Sequence, residues 1–277
     1  MQAAKTELLE LLRHNDLLRS SLLVGKIQDA HFSPDRYVDR VMAMSARIWQ
    51  RCERMKHDPV HKVQVINDVL FHEFELEGKK ENSKQLIDDP DRYYIHRVLD
   101  KKSASPLALA ILYSIFAEQV GLPHECMALP SYFLLKVNDV AGDFYIDPYD
   151  SGRVLTQEEF HRRFRASMNR NRSLSTNLFE KVTCLQLVGR LIQQVKHAYI
   201  LKGKAIEALR AVEMLSVIYP QSPEVTRDRG ILYCEIEYFS KAIMDLKYYI
   251  QQRPNADDIG EIKKLAGMLK GYREVVN

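Results

Sequence analysis

Three residue pairs in the last third of the chain stand 34 positions apart: Tyr199 and Tyr233, Ala208 and Ala242, Pro220 and Pro254. Two blocks carry the pattern, "KGKAIEALRAVEMLSVIYPQSP" and "EYFSKAIMDLKYYIQQRPNA". A unit this short cannot bury an apolar face by itself. A sequence that recurs at this period therefore stacks its copies on one another. The small residue marks where two helices cross closely, and the proline ends the second helix. Gly230 marks another close approach, where the first copy has Lys196. The reading is two helical hairpins, closed by "DDIGEIKKLAGMLKGY" as a single capping helix.

This is the tetratricopeptide period. The residues before it follow other rules, so two domains are expected: 1–180, and 181–277 with two repeats plus the capping helix. "HFSPDRYVDRVMAMSARIWQRCERM" reads as a helix that Ser33 caps and Pro34 begins. Its three- and four-residue spacing predicts that Val38, Val41, Met42, Ile48, Trp49, Cys52 and Met55 are buried. "HKVQVINDVLFHEFELEG" repeats the pattern with Val63, Ile66, Leu70 and Phe74, and Gly78 reads as its stop. "KKENSKQLIDDPD" is polar and reads as a surface loop.

"SASPLALAILYSIFAEQVGLP" comes next. Ser105 suits a cap and Pro106 a first helical residue, while Gly121 and Pro123 end the helix. From Leu107 to Ala117 nearly every residue is apolar or small, so this helix is expected to be buried all round. "CMALPSYFLLKV" and "GDFYIDPYDSGRVL" are aromatic and β-branched, with turn-forming residues between them, and read as antiparallel strands. Thr156 and Glu159 in "TQEEF" have capping-box spacing and start another helix.

A chain of 277 residues with 46% apolar content can bury its cores without disulfides. Its four cysteines, Cys52, Cys126, Cys184 and Cys234, form no CxxC pair, so no zinc site is expected. Scattered among apolar residues, they read as reduced core thiols, which points to the cytoplasm. The first residues lack the apolar run of a secretion signal, and no stretch approaches the ~18 apolar residues of a membrane span. A net charge of +3 is too mild to imply nucleic acid. No phosphate-binding loop or dinucleotide fingerprint appears, so neither a cofactor nor a small-molecule ligand is inferred.

Taken in order, "LFHEFELEG", "DPDRYYIHRVL", the buried helix ending in "GLP", "LPSYFLLKV", "IDPYDSGRVLTQEEF" and the "RDRG" of the repeats resemble the bacterial SirB-type proteins. Those proteins join a transglutaminase-like domain to a tetratricopeptide tail. The resemblance implies an α+β domain of the transglutaminase-like (papain-like) type followed by all-α repeats. Enzymes of that type use a cysteine at the start of the buried helix, a histidine on the next strand and an aspartate on the following one. The cysteine attacks as a thiolate, the histidine moves the proton, and the carboxylate holds the imidazole.

Carried over by the distance back from Gly121, the cysteine's place falls at Pro106. A shift of one or two residues gives Ala104, Ser105, Leu107 or Ala108, never cysteine. The histidine's place falls at Tyr132, where relatives resemble P-G-H-F, and the aspartate's at Asp147. Relatives also resemble G-x-P-x-S-L at the helix start; here Ala104 and Ala108 replace that glycine and serine. Pro106, Tyr132 and Asp147 are thus expected to be vestigial, with no catalytic residue, cofactor or metal among them. Tyr132 is expected to pack over the old site, and Asp147 to anchor a turn. The function implied is a non-catalytic adaptor or regulator that binds a protein partner, or itself, through the repeats.

Two alternatives stay open. One is an active hydrolase or acyltransferase with a rearranged site, centred on Cys126 with His124 or on Ser105. The other is RNA binding through "HRRFRASMNRNRS", whose Arg162, Arg163, Arg165, Arg170 and Arg172 otherwise read as a solvated linker.

Overall fold

The computed structural model describes residues 2–53, 58–78, 89–129, 132–140, 142–168 and 181–276. In chain order these form α1 (Gln2–Arg13), α2 (Leu17–Leu23), α3 (Asp35–Cys52), α4 (Pro59–Asn67), β1 (Glu77–Gly78), α5 (Ile95–Lys101), β2 (Ser103–Ala104) and α6 (Pro106–Gln119). Then come β3 (His124–Leu129), β4 (Tyr132–Val137), β5 (Phe144–Asp147), β6 (Arg153–Leu155) and α7 (Gln157–Met168). Five helices follow: α8 (Cys184–Leu201), α9 (Ala205–Ile218), α10 (Pro223–Glu235), α11 (Phe239–Gln252) and α12 (Ile259–Val276). By packing, the chain falls into two units, Glu10–Leu191 and Met1–Leu9 with Ile192–Asn277. The division thus lies further along than the residue 180 read from the sequence, and the first nine residues group with the repeats.

Unit Glu10–Leu191 is α+β. Helix α6 is its centre: every residue from Leu107 to Ala117 is buried, as an all-round apolar helix must be. Ser105 caps it, accepting the Ala108 N–H at 3.2 Å, and Pro106 occupies its first turn. It packs on the antiparallel meander β3-β4-β5-β6. Cys126 pairs with Leu135 and Leu135 with Ile146, so these three share one face. On the other face Met127, Leu134, Tyr145 and Leu155 form a cluster with Phe160 of α7. The Tyr145 and Phe160 rings stack at 3.9 Å. The capping box at the start of α7 forms as expected: Glu159 N–H donates to Thr156 Oγ1 at 3.2 Å, and Thr156 N–H donates to Glu159 Oε2 at 3.1 Å.

Asn67 ties α4 to the rest. The Tyr113 hydroxyl donates to its Oδ1 at 2.8 Å, and its Nδ2 donates to the Gly152 carbonyl at 2.8 Å. Gly152 has φ +71°, and a Cβ there would lie 1.8 Å from Asn67 Oδ1, so only glycine fits.

Three expectations need correction. Met42 and Trp49 are exposed, at 44% and 51%. Each sits one residue beyond Val41 or Ile48, turned about 100° away from the buried stripe. The stripe runs instead through Val38, Val41, Met44, Ile48 and Cys52. Gly78 does not stop a helix. The helical run ends in a single π turn, Asp68–Glu73, and Gly78 pairs with Ala104 in a short parallel ladder. A Cβ at Gly78 would meet the Tyr149 ring at 2.4 Å. Met55, and residues 79–88 of the polar stretch, lie outside the described residues.

The second unit is all-α. Helix α11 packs on α10 and α12, and α10 on α9. Ala208 and Ala242 are fully buried, and Tyr199 and Tyr233 nearly so. At Gly230 a Cβ would lie 3.0 Å from Leu246 Cγ, so α10 and α11 meet backbone to side chain there. Asp245 is buried and paired bidentately with Arg229 at 2.7 and 2.8 Å. Arg227 and the Tyr249 hydroxyl both donate to Asp258, at 2.7 and 2.6 Å, joining α10 and α11 to the start of α12. Lys5 reaches Glu213 on α9 at 3.0 Å.

Candidate functional site

Helix α6 packs against β4 and against the turn after β5, so the elements that bear Pro106, Tyr132 and Asp147 are in mutual contact. Each position is otherwise engaged. Pro106 offers no backbone N–H to an anion at the helix start. The Ser105 hydroxyl beside it is buried and spent on the cap, while its N–H donates to the Arg92 carbonyl at 2.9 Å. Arg92 also donates to the Ala104 carbonyl at 2.6 Å. Ser105 therefore has the role of a structural cap, and among the described residues no base is bonded to its hydroxyl.

Tyr132 begins β4 opposite Leu129 and is 41% exposed, so it is less packed over the site than expected. A phenol in place of an imidazole does not take histidine's part as a base near pH 7. Asp147 is fully buried. Its Oδ1 accepts the Tyr149 and Asp150 N–H groups at 3.1 and 3.2 Å, capping the 3-10 turn Pro148–Asp150. Its Oδ2 accepts from Arg163 Nη1 at 3.2 Å. Burial pushes the Asp147 carboxyl pKa up, against the opposing pull of those N–H groups and Arg163.

The Arg163 pairing corrects the linker reading of the arginine-rich stretch. Arg162 and Arg163 stand on α7, which the capping box starts and Phe160 anchors. Arg163 docks on Asp147 and comes within 3.8 Å of Asp150. Arg165 lies in the same helix, while Arg170 and Arg172 lie outside the described residues.

The other sequence candidates do meet, but around a residue that the sequence did not mark. His124 and Cys126 alternate on β3, so both face α6, and there both reach Ser114. His124 Nε2 lies 2.6 Å from Ser114 Oγ, and the same hydroxyl is near enough to the Cys126 thiol to pull its pKa down, against the larger effect of burial. His124 Nδ1 donates to the Leu122 carbonyl at 2.9 Å, which leaves the lone pair on Nε2 to accept the Ser114 proton. Burial lowers the His124 pKa and pushes the Cys126 thiol up to about 11. The imidazolium–thiolate pair that a cysteine nucleophile needs is disfavoured on both sides. The three side chains line an open cavity of about 560 Å³. Ser114 carried no signal in the sequence, being one small residue in an apolar helix.

Among the described residues no cluster of His, Cys, Asp or Glu could hold a metal ion, and no helix is long and apolar enough to cross a membrane.

Comparison with known proteins agrees with this architecture. The family model of the transglutaminase-like superfamily matches residues 35–193, and that of the tetratricopeptide repeat matches residues 195–267. A UPF0162 protein of Xylella fastidiosa is 23% identical over 251 residues, covering 89% of this chain and 87% of the relative. A UPF0162 protein of Vibrio cholerae is 25% identical over 254 residues, 90% of each chain. Protein SirB1 of Salmonella typhimurium is 24% identical over 187 residues, 67% of this chain and 69% of that one. No solved structure matches. The matched segment 35–193 spans more than half of the chain and contains Pro106, Ser114, Tyr132 and Asp147, and the protein belongs to the transglutaminase-like superfamily, with a tetratricopeptide-repeat region behind it.

Proposed function

We propose that this protein is a non-catalytic adaptor or regulator in which the family's triad position performs no chemistry and the repeat unit binds a protein partner. The observation that carries the reading is the state of Asp147, the one triad type that remains. Both its oxygens are committed to a turn and to Arg163. At the places of the other two stand an imino acid and a phenol. A thioester intermediate needs a thiol, and a proton shuttle near neutral pH needs an imidazole; Pro106 and Tyr132 supply neither.

The repeat unit supplies the binding surface in this reading. Ile206, Tyr238 and Met244 are each more than half exposed, and in this reading they are the side chains that meet a partner or a second copy. All four cysteines are free, which supports placement in the reducing cytoplasm. The test is quantitative capture of partners from native cytosol by the full-length protein and by an Ile206→Glu/Met244→Glu variant, with light scattering to detect self-association. Loss of partner or dimer in the folded variant supports the reading. Binding that is indifferent to those changes refutes it.

A further inference from the structure

The cavity beside β3 contains an arrangement that neither the family's triad nor partner binding uses. Ser114 is 6% exposed and in mid-helix, where a serine hydroxyl ordinarily bonds back to the preceding turn. Here it points across to β3 and meets His124 Nε2 at 2.6 Å. The Leu122 carbonyl fixes the imidazole from the other side at 2.9 Å. This is the order of a nucleophile, a base and an orienting acceptor, with a backbone carbonyl in the place of a carboxylate. The Cys126 thiol, kept protonated because burial pushes its pKa up to about 11, stands beside the same hydroxyl. The group stands on the wall of an open cavity of about 560 Å³, a volume suited to a small molecule, with Glu118, Lys181 and Thr183 also on the wall.

We propose that Ser114 is a nucleophile activated by His124 and that this cavity takes up a small activated acyl group, an ester or thioester, as an acyl-serine. Ser114 Oγ bonds to the acyl carbon as its proton passes to His124 Nε2. The bond from that carbon to the leaving oxygen or sulfur then breaks, and the imidazolium returns the proton to the departing alcohol or thiol. Atoms and charge balance with no further reagent. The inference does not depend on the adaptor reading, which concerns Pro106, Tyr132, Asp147 and the repeat surface. Acylation of one serine per chain is stoichiometric and leaves that reading standing whichever way the test falls.

The test uses a biotinylated fluorophosphonate on the purified full-length protein at pH 7.5, read by intact mass and peptide mapping. The serine oxygen bonds to phosphorus, fluoride leaves, and the proton goes to His124. The expected result is one label per native chain, on Ser114, and none on heat-denatured protein. Ser114→Ala is expected to remove the label, and His124→Gln to slow it at least ~100-fold, the usual contribution of a general base. Native wild-type protein without a label, a label elsewhere, or a rate unchanged in folded His124→Gln overturns the proposal. Should the variants fail to fold, the wild-type pH profile decides. Labelling must fall at some pH below about 6.5 as His124 gains its proton, and a flat profile from pH 8 to 4 also overturns it.

Discussion

Replacing Asp147 by alanine and by asparagine separates a turn-capping carboxylate from a catalytic one. Alanine removes the acceptor of the Tyr149 and Asp150 N–H groups, 3.1 and 3.2 Å away in a fully buried position. Loss of a cap costs about 1 kcal/mol, and a stranded buried donor about 1–3 kcal/mol. The Arg163 pairing adds little, about 0–1 kcal/mol, because the guanidinium is 41% exposed. The sum is about 2–5 kcal/mol, which lowers the melting temperature by roughly 4–20 °C for a unit of this size. Asparagine keeps an oxygen for both N–H groups and relieves a buried charge whose pKa burial pushes up. It loses only the Arg163 attraction, so its cost should stay within about 1 kcal/mol. Thermal and denaturant unfolding of the two variants beside the wild type measures this directly. Equal losses for alanine and asparagine would refute the reasoning, because they would make the charge, and not the cap, the thing that matters.

Other expectations follow from the same geometry. Ala242→Phe overpacks the fully buried crossing of α10 and α11 and should cost about 1–3 kcal/mol in denaturant unfolding; an unchanged midpoint would contradict the repeat assignment. Gly152→Ala forces a side chain onto a backbone at φ +71° and displaces Asn67, so a loss of about 2 kcal/mol or more is expected by the same measurement. His96 is 4% exposed among Phe32, Tyr37 and Tyr94, and burial lowers its pKa from 6.5 to about 4, with Arg97 adding to the shift and Asp100 and Asp91 opposing it. The unfolded chain therefore takes up this proton first. Its contribution is complete above pH 6.5 and declines as pH falls towards 4, by about 3 kcal/mol in all. Unfolding free energies of wild type and His96→Phe at pH 7.5, 5.5 and 4.5 check the slope, which the variant should lose.

Much of the architecture was legible because it rests on local rules. The 34-residue spacing of Ala208 and Ala242 reports a helix crossing that only a small residue fits, and both are fully buried. Thr156 with Glu159, and Ser105 with Pro106, signal helix starts through hydrogen bonds made within four residues. Long-range facts were hidden. Gly78 looked like a stop signal, and its need for glycine comes from Tyr149, 71 residues away in sequence. Met42 and Trp49 fit an apolar periodicity at its edge, where spacing alone cannot say which side meets the core. The arginines near residue 163 read as a solvated run, because nothing local announces that one of them pairs with a buried aspartate. At the site, alternation along β3 correctly put His124 and Cys126 on one face. What they face, Ser114, was settled only by how α6 packs.

The most direct measurement of the account is an activity and partner assay on one set of folded proteins: wild type, Asp147→Asn and Ile206→Glu/Met244→Glu. Each is captured from cytosol with its bound proteins and then assayed for transamidation and amide hydrolysis. The account predicts no such activity from any of them, the same partners on wild type and Asp147→Asn, and lost partners on the repeat-surface variant. Transamidase or amidase activity in the wild type that disappears in folded Asp147→Asn would contradict it.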